Sequence, residues 1–308
     1  MEDLGQDVTV LILSLNRGAY LRMALTSVIQ QTVRPKEVIV LDNGSKEDVK
    51  AAVLDLLKDN VKWEGADETH SPHWNTARGL AMVRTKYVQI MHDDDILDPH
   101  FLEEMVGFLS SNPEAAAVGC NGPLISPDGK EIGRSVLPRH KTVTTWYRTP
   151  PELALLYTDG HLLFPSIVYR RDAIQPDMVH TEYGKVGDSR MLFDVQRTGP
   201  IVHLDKMLYR YRTHGNQDSA MLPEDDYRRK DRFLIEVSAS DPKLARRIAK
   251  NVYRFQTRRY LERAGSAWRK QGFHAMRASL REHKPDKFSI AGAFSIIPFA
   301  IRRSRRRK

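Results

Sequence analysis

The chain has 308 residues, 41% apolar and 28% charged, which is enough to bury a substantial core and argues against wholesale disorder. A single cysteine, Cys120, excludes an internal disulfide or a zinc knuckle, and the absence of any run of about 18 apolar residues excludes a membrane-spanning helix. The net charge of +9 is lopsided: residues 1–225 carry 24 Lys and Arg against 32 Asp and Glu, whereas residues 226–308 carry 24 against 7.

An acidic body with a basic end implies two tasks, the basic end seeking a polyanion such as an anionic membrane surface or a nucleic acid. One cysteine fits a reducing compartment. The acidic segment Met1–Asp7 lacks the basic start and apolar core of a signal peptide, so a cytoplasmic location is expected.

Val8–Ser14 is a nearly continuous apolar run, the mark of a strand buried on both faces. Tyr20–Gln31 has helical spacing, with Leu21, Ala24, Leu25 and Val28 on one side. Glu37–Asp42 reads as a second buried strand, followed by the turn Asn43-Gly44-Ser45. Ser45 is expected to cap a helix running to about Lys58. Val61–Trp63 is a short third strand. Ser71-Pro72 reads as the N-cap and first residue of a helix to about Val83. Tyr87–Met91 is a fourth strand, ending in His92-Asp93-Asp94-Asp95, and Asp98-Pro99 opens a helix through Leu109.

Such alternation predicts a mostly parallel sheet covered on both faces by helices. Ligands bind outside the C-terminal ends of the strands in such sheets. Polar residues follow those ends here: Asn16-Arg17, Asp42 and the three aspartates. Beyond Ala115 the pattern is less regular, with a hairpin turn at Pro127–Lys130, helices at Leu153–Tyr157 and Ser189–Gln196, and strands over 201–212. Asp226 to about His283 is helical and basic. There is no internal repeat.

Three adjacent carboxylates at a strand end repel one another and are costly to hold without a cation. Mg²⁺ and Mn²⁺ favour oxygen ligands and are held by one or two carboxylates with substrate phosphates. The plainer alternative is a solvated acidic turn, weakened because Asp98 is already placed to cap the next helix.

Segment 87–102, from Tyr87 through His92-Asp93-Asp94-Asp95 to Leu102, resembles the acidic metal motif of family 2 glycosyltransferases. Leu11–Arg17 resembles that family's opening strand and nucleotide-binding turn. Val40–Ser45 resembles its second strand, and His73-Trp74-Asn75 an Asn-Trp-Asn element of one subgroup. The resemblance covers about residues 8–220. It implies a GT-A type, Rossmann-like α/β fold with a mostly parallel sheet flanked by helices, here with a C-terminal basic helical extension. It divides the chain into a catalytic domain over 1–225, a nucleotide-sugar half to about 115 and an acceptor half over 116–225, then a basic helical extension over 226–285.

The activity implied is inverting transfer of a sugar from a nucleotide-sugar, a UDP-sugar by preference, to an acceptor hydroxyl on a glycan or glycolipid, with Mn²⁺ or Mg²⁺ as cofactor. Asp94 is then the main metal ligand, assisted by Asp95 or Asp93. The family often has Asp where this chain has His92, which reads as a packed histidine, or one supporting a ligand, rather than a ligand itself. Ser14, Asn16 and Arg17 face the nucleotide, Asn16 and Arg17 bonding the uracil edge or a phosphate. Asp42 accepts from the base or ribose. Asn75 and Arg78 lie at a helix start suited to a diphosphate, Asp93 adjoins the donor, and Asp67 is a weaker nucleotide candidate.

Inversion needs a carboxylate to take the acceptor's proton. Gly187-Asp188 before a helix resembles the family's Glu-Asp element, with Asp188 at the base position, the glutamate missing and Glu182 in reserve. Tyr209–Gln217 resembles the closing strand and Tyr-Arg-x-His element, so His214 is a candidate to complete the metal sphere.

Residues 286–308 are apolar and then basic, too short to span a bilayer but able to lie at its interface. Peripheral attachment to the inner face of a membrane is therefore expected. Nucleic acid is not expected as a partner, because no recognition motif is present. Two rivals remain. A nucleotidyltransferase would carry a basic Gly-rich loop after strand one, where Leu15–Gly18 has one glycine; a non-catalytic binding module would keep the fold with a dead site.

Overall fold

A computed structural model describes residues 4–58, 60–136, 143–159, 162–215, 223–282 and 284–294. The first half is strand-helix alternation: β1 (Val8–Ser14), α1 (Gly18–Ile29), β2 (Glu37–Asp42), β3 (Val61–Gly65), α2 (Pro72–Met82), β4 (Tyr87–His92), the two-residue β5 (Ile96–Leu97) and α3 (Phe101–Ser111). The second half adds β6 (Ala117–Asn121), β7 (Pro123–Ile125), β8 (Glu131–Ser135), β9 (Thr145–Tyr147), α4 (Pro150–Asp159), β10 (Ile167–Arg170), α5 (Gly187–Gln196), β11 (Ile201–Met207) and β12 (Tyr209–Arg212). Four helices follow: α6 (Glu224–Val237), α7 (Pro242–Gln271), α8 (Phe273–Arg281) and α9 (Ile290–Phe294).

The main sheet has eight strands in the order β3-β2-β1-β4-β10-β6-β11-β9. All run in one direction except β10 and β9, so the sheet is mostly parallel, as expected. The apolar runs explain it. Along β1, Val8, Val10 and Ile12 join one core with Leu21 and Leu25 of α1 and Phe101 and Met105 of α3. Leu11 faces the opposite core with Leu41, Leu80 and Leu192. Successive side chains of a strand point to opposite faces, so a strand covered on both sides must be apolar throughout. Each such Leu or Ile contributes about 1.5–3 kcal/mol.

β1 lies between β2 and β4, and chain order reverses there. The crevice at the C-terminal ends of β1 and β4 is where such a sheet accepts ligands. A smaller sheet, β5-β12-β7-β8, covers that end of the molecule.

Two local expectations are corrected. No α-helix runs from Ser45 to Lys58; the segment holds only a short 3₁₀ turn, Ala51–Leu56. The Ser45 hydroxyl donates to Asp42 Oδ1 and accepts from the Asn16 N–H at 2.8 Å, so it does not serve as a helix cap. Asp98 does not cap α3 directly either. Its Oδ1 accepts from the His100 N–H at 3.1 Å, and α3 begins at Phe101. Ser71 does cap α2, accepting from the Trp74 N–H at 3.2 Å with Pro72 as the first helical residue.

The C-terminal helices are joined to the body. Ile248 and Val252 of α7 belong to the second core, and Asn251 donates to Thr158 of α4 at 3.1 Å. The expected junction at residue 225 falls in the first turn of α6, where buried Asp226 accepts from the Lys185 N–H at 3.0 Å. Of the apolar-then-basic segment 286–308, everything past Phe294 lies outside the described residues. No described helix is long and apolar enough to cross a membrane.

Candidate active site

The site is built where β1 and β4 end. Asn16 has φ +56°, a left-handed conformation that asparagine tolerates better than most residues. Its side-chain oxygen accepts from the Lys46 N–H at 2.7 Å, which ties the turn after β1 to the turn after β2. The bend delivers Arg17 to the aspartates: Nη2 lies 2.8 Å from Asp93 Oδ1 and Nη1 2.8 Å from Asp94 Oδ2.

The three carboxylates have different surroundings. Asp93 is fully buried and accepts from the Leu15 N–H at 3.0 Å. Burial pushes its carboxyl up to about 6, against the pull of Arg17. Asp95 is also buried. It accepts from the Tyr209 hydroxyl at 2.7 Å and the Arg212 N–H at 2.8 Å, and burial beside Asp94 raises its carboxyl well above the ordinary range. Asp94 is buried too, but its neighbours oppose the effect of burial: the His92 ring, Arg17 and the His214 ring hold its carboxyl below the usual value. His214 Nε2 stands 2.9 Å from the same Oδ2 that Arg17 approaches.

Arg212 fixes this corner from behind. Fully buried, it donates from Nε to the Asp94 carbonyl at 2.6 Å and from Nη1 to the carbonyls of Ser126 and Pro127 at 3.1 and 2.7 Å. The Tyr20 ring packs under its guanidinium at 4.7 Å and beside His214 at 5.2 Å.

A cleft of about 140 Å³ opens in front, lined by Ser14, Arg17, Asn43, Asn75, His92 and Asp94 with Leu13, Leu15, Pro72 and Tyr211. Of the residues singled out in the sequence, Ser14, Arg17, Asn75 and Asp94 thus share one wall. Asp42 sits behind it, both carboxylate oxygens turned to Ser45. Asn75 donates to the Leu41 carbonyl at 2.9 Å and accepts from Arg78 at 2.7 Å. Arg78 donates from its guanidinium to the carbonyls of Asp42, Glu64 and Gly65 at 3.1–3.3 Å and rests on the Trp74 ring. It clamps the ends of β2 and β3.

A divalent ion suits these residues. His92, Asp94 and Asp95 present ligand atoms all within 4.8 Å of one another. Asp95 accepts on both oxygens from within the fold, while Asp94 and His92 line the cleft. His92, read from sequence as a packed or supporting side chain rather than a ligand, lines the cleft beside Asp94. His214 joins the cluster through its bond to Asp94 Oδ2.

Asp188 stands exposed in the first turn of α5, accepting from the Ser189 N–H at 2.6 Å. A Cβ on Gly187 would lie 2.5 Å from His73 Nε2 and from the His180 carbonyl. The start of α5 therefore abuts the start of α2, beside the cleft, and leaves no room for a glutamate at 187. Gly184, at φ +57°, lets the preceding turn fold against Asp226 of α6, and Arg229 donates to the Glu182 carbonyl at 2.9 Å. Glu182 faces solvent, paired with His180, and borders an open groove of about 290 Å³ with Tyr183, Arg229, Arg232 and Phe233.

Tyr209 and Arg212 were not singled out as site residues. Only the Tyr-Arg-x-His pattern around them hinted at a role, because their partners lie more than 110 residues away in sequence.

A mostly parallel sheet with an acidic cluster and a cleft at the β1–β4 switch point defines a glycosyltransferase of the GT-A type. The comparisons with known proteins agree, and residues 9–176 match the model for glycosyl transferase family 2; the chain belongs to that family. An uncharacterized glycosyltransferase of Haemophilus influenzae is 26% identical over 228 residues, covering 70% of this chain and 68% of that protein. A Campylobacter jejuni GalNAc(5)-diNAcBac-PP-undecaprenol beta-1,3-glucosyltransferase is 29% identical over 93 residues, 29% of this chain and 30% of that one. Among solved structures, S. aureus TarS 1-349 in complex with UDP-GlcNAc superposes with a TM-score of 0.65 at 15% identity, covering 90% of this chain and 79% of that chain.

Proposed function

We propose that this protein moves a sugar from a nucleotide-sugar, a UDP-sugar by preference, to a hydroxyl of a glycan or glycolipid acceptor, with inversion. The observation that carries the reading is the convergence of Ser14, Arg17, Asn75, His92 and Asp94 on one cleft at the switch point of the sheet. The UDP-GlcNAc bound to the similar TarS fold supports a UDP-sugar, and the undecaprenol-linked acceptor named for the Campylobacter relative supports a lipid-linked glycan.

Asp94 and His92 would hold Mn²⁺ or Mg²⁺, with Asp93 and Asp95 as the buried supports of Asp94. When bound, the ion supplies positive charge to the leaving diphosphate. Arg17 adds a second cation on the same side and orients the phosphates, while Ser14 and Asn75 bound the nucleoside. Asp188 takes the proton from the acceptor hydroxyl as that oxygen attacks the anomeric carbon. Enzyme and acceptor would meet at the cytoplasmic face of a membrane, with residues 286–308 against the anionic headgroups.

The test is metal-dependent turnover of a nucleotide-sugar panel by the wild type, Asp94→Asn and Asp188→Asn. Asp94→Asn should lose at least about a hundredfold in turnover. Asp188→Asn should keep donor affinity and lose transfer. Turnover of no nucleotide-sugar would favour a binding module. Pyrophosphate release from a nucleoside triphosphate and a sugar phosphate would establish a nucleotidyltransferase instead.

A further inference from the structure

Large apolar side chains left in solvent are concentrated in the last described part of the chain. Of the twelve exposed large hydrophobic residues described, six fall between Phe255 and Phe294. Trp268 at the end of α7 is 61% exposed, Phe273 at the start of α8 59%, Phe288 59%, and Ile290 and Phe294 of α9 71% and 64%. Single exposed apolar residues are ordinary, but a concentration of aromatic ones marks a contact surface.

The packing explains why they face outward. α7 meets the body through Ile248, Val252 and Asn251. α8 folds back along α7, with the Tyr260 hydroxyl donating to the Leu280 carbonyl at 2.8 Å. The chain then crosses α7 again, where the Ser289 N–H donates to Thr257 at 2.8 Å. α8 and α9 each pack on α7, and the exposed apolar positions are spread along it from the level of Thr257 to Trp268, about 16 Å of helix.

The charge around them is one-sided. Residues 264–294 hold six Lys and Arg against Glu282 and Asp286. Asp286 is already bonded to Gln256 at 3.0 Å. Arg277 and Arg281 follow Phe273 at four-residue spacing on α8, and all three are exposed. Lys270, Lys284 and Lys287 are exposed beside them. Aromatic side chains among lysines and arginines fit the boundary of an anionic bilayer, where the rings enter the acyl region and the cations meet headgroups. Nucleic acid fits less well: its phosphates would satisfy the cations and leave Ile290 and Phe294 in water.

We propose that the outer face of α7–α9, anchored by Trp268, Phe273, Ile290 and Phe294, is a docking surface for anionic lipid. It extends the membrane part of the reading above, and assigns attachment to folded helices and to ring insertion rather than to the basic end of residues 286–308.

The experiment is co-sedimentation of the full chain with phosphatidylcholine vesicles, with and without phosphatidylserine. Binding should require phosphatidylserine. In Trp268→Ala/Phe273→Ala it should weaken at least about tenfold with the circular dichroism spectrum unchanged. Replacing Arg302, Arg303, Arg305, Arg306 and Arg307 by Gln tests the basic end separately. Unchanged binding by the aromatic variant, or binding abolished by the Gln variant alone, overturns the proposal, as does retention on single-stranded DNA with no retention on vesicles. Nucleotide-sugar turnover without lipid should be the same in the aromatic variant and wild type. A wild type that turns over no nucleotide-sugar yet binds vesicles would overturn the proposed reaction and leave this surface standing.

Discussion

Arg212→Met is the sharpest test of how the acidic corner is held. The guanidinium spends its donors on the carbonyls of Asp94, Ser126 and Pro127, all at 3.1 Å or less in a fully buried pocket. Methionine fills much of the volume and offers no donor. Each buried acceptor left unpaired costs about 1–3 kcal/mol. Relief from burying a cation offsets part of that. The net is a loss of about 4 kcal/mol, or a fall in Tm of about 10 °C for a domain of this size. The backbone N–H of residue 212 still serves Asp95, so the corner should loosen at Asp94, not collapse. Differential scanning fluorimetry reads the stability, and metal titration of nucleotide-sugar turnover reads the site. The metal requirement should shift at least about tenfold upward. A fall in Tm below about 3 °C with an unchanged metal titration would refute the reasoning.

Two further outcomes follow from the geometry. Burial lifts the Asp93 carboxyl to about 6, so between the ordinary carboxylate value near 4 and that point the folded chain keeps a proton the unfolded chain has lost. Stability therefore falls as pH rises through this window, by about 3 kcal/mol from this group. Urea midpoints between pH 4 and 7 should show a flatter decline in Asp93→Asn than in wild type; parallel curves would contradict the assignment. Gly184→Ala forces a Cβ at φ +57° to within 2.5 Å of the Asp226 carboxylate. The turn leading to Asp188 must shift, so kcat for transfer should fall several-fold while donor KM holds. A change in donor KM alone would count against it.

The sheet was legible where physics is local. β1, β2 and β4 bury both faces and so read as unbroken apolar runs, and Ser71-Pro72 carries its own cap. The missing helix after Ser45 was not legible, because its cap hydroxyl is claimed by Asp42 and Asn16, and Asn16 lies 29 residues earlier. Part of the cleft wall was legible for the same reason as the strands: Ser14 ends β1, and Arg17 and Asp94 follow the ends of β1 and β4. The clamp that Arg78 makes was not legible, because nothing local reveals that the ends of β2 and β3 converge on its guanidinium. Arg212 and Tyr209 escaped because a buried strut is defined by what it touches across the fold.

The bond from the Lys185 N–H to Asp226 also limits how such chains can be recombined. The turn that carries Asp188 is shaped by a helix beyond the end of the second half-sheet. An exchange between relatives that cuts ahead of α6 would inherit this turn without its mould. For the conformation at the start of α5 to be transmitted, α5 and α6 must be inherited together.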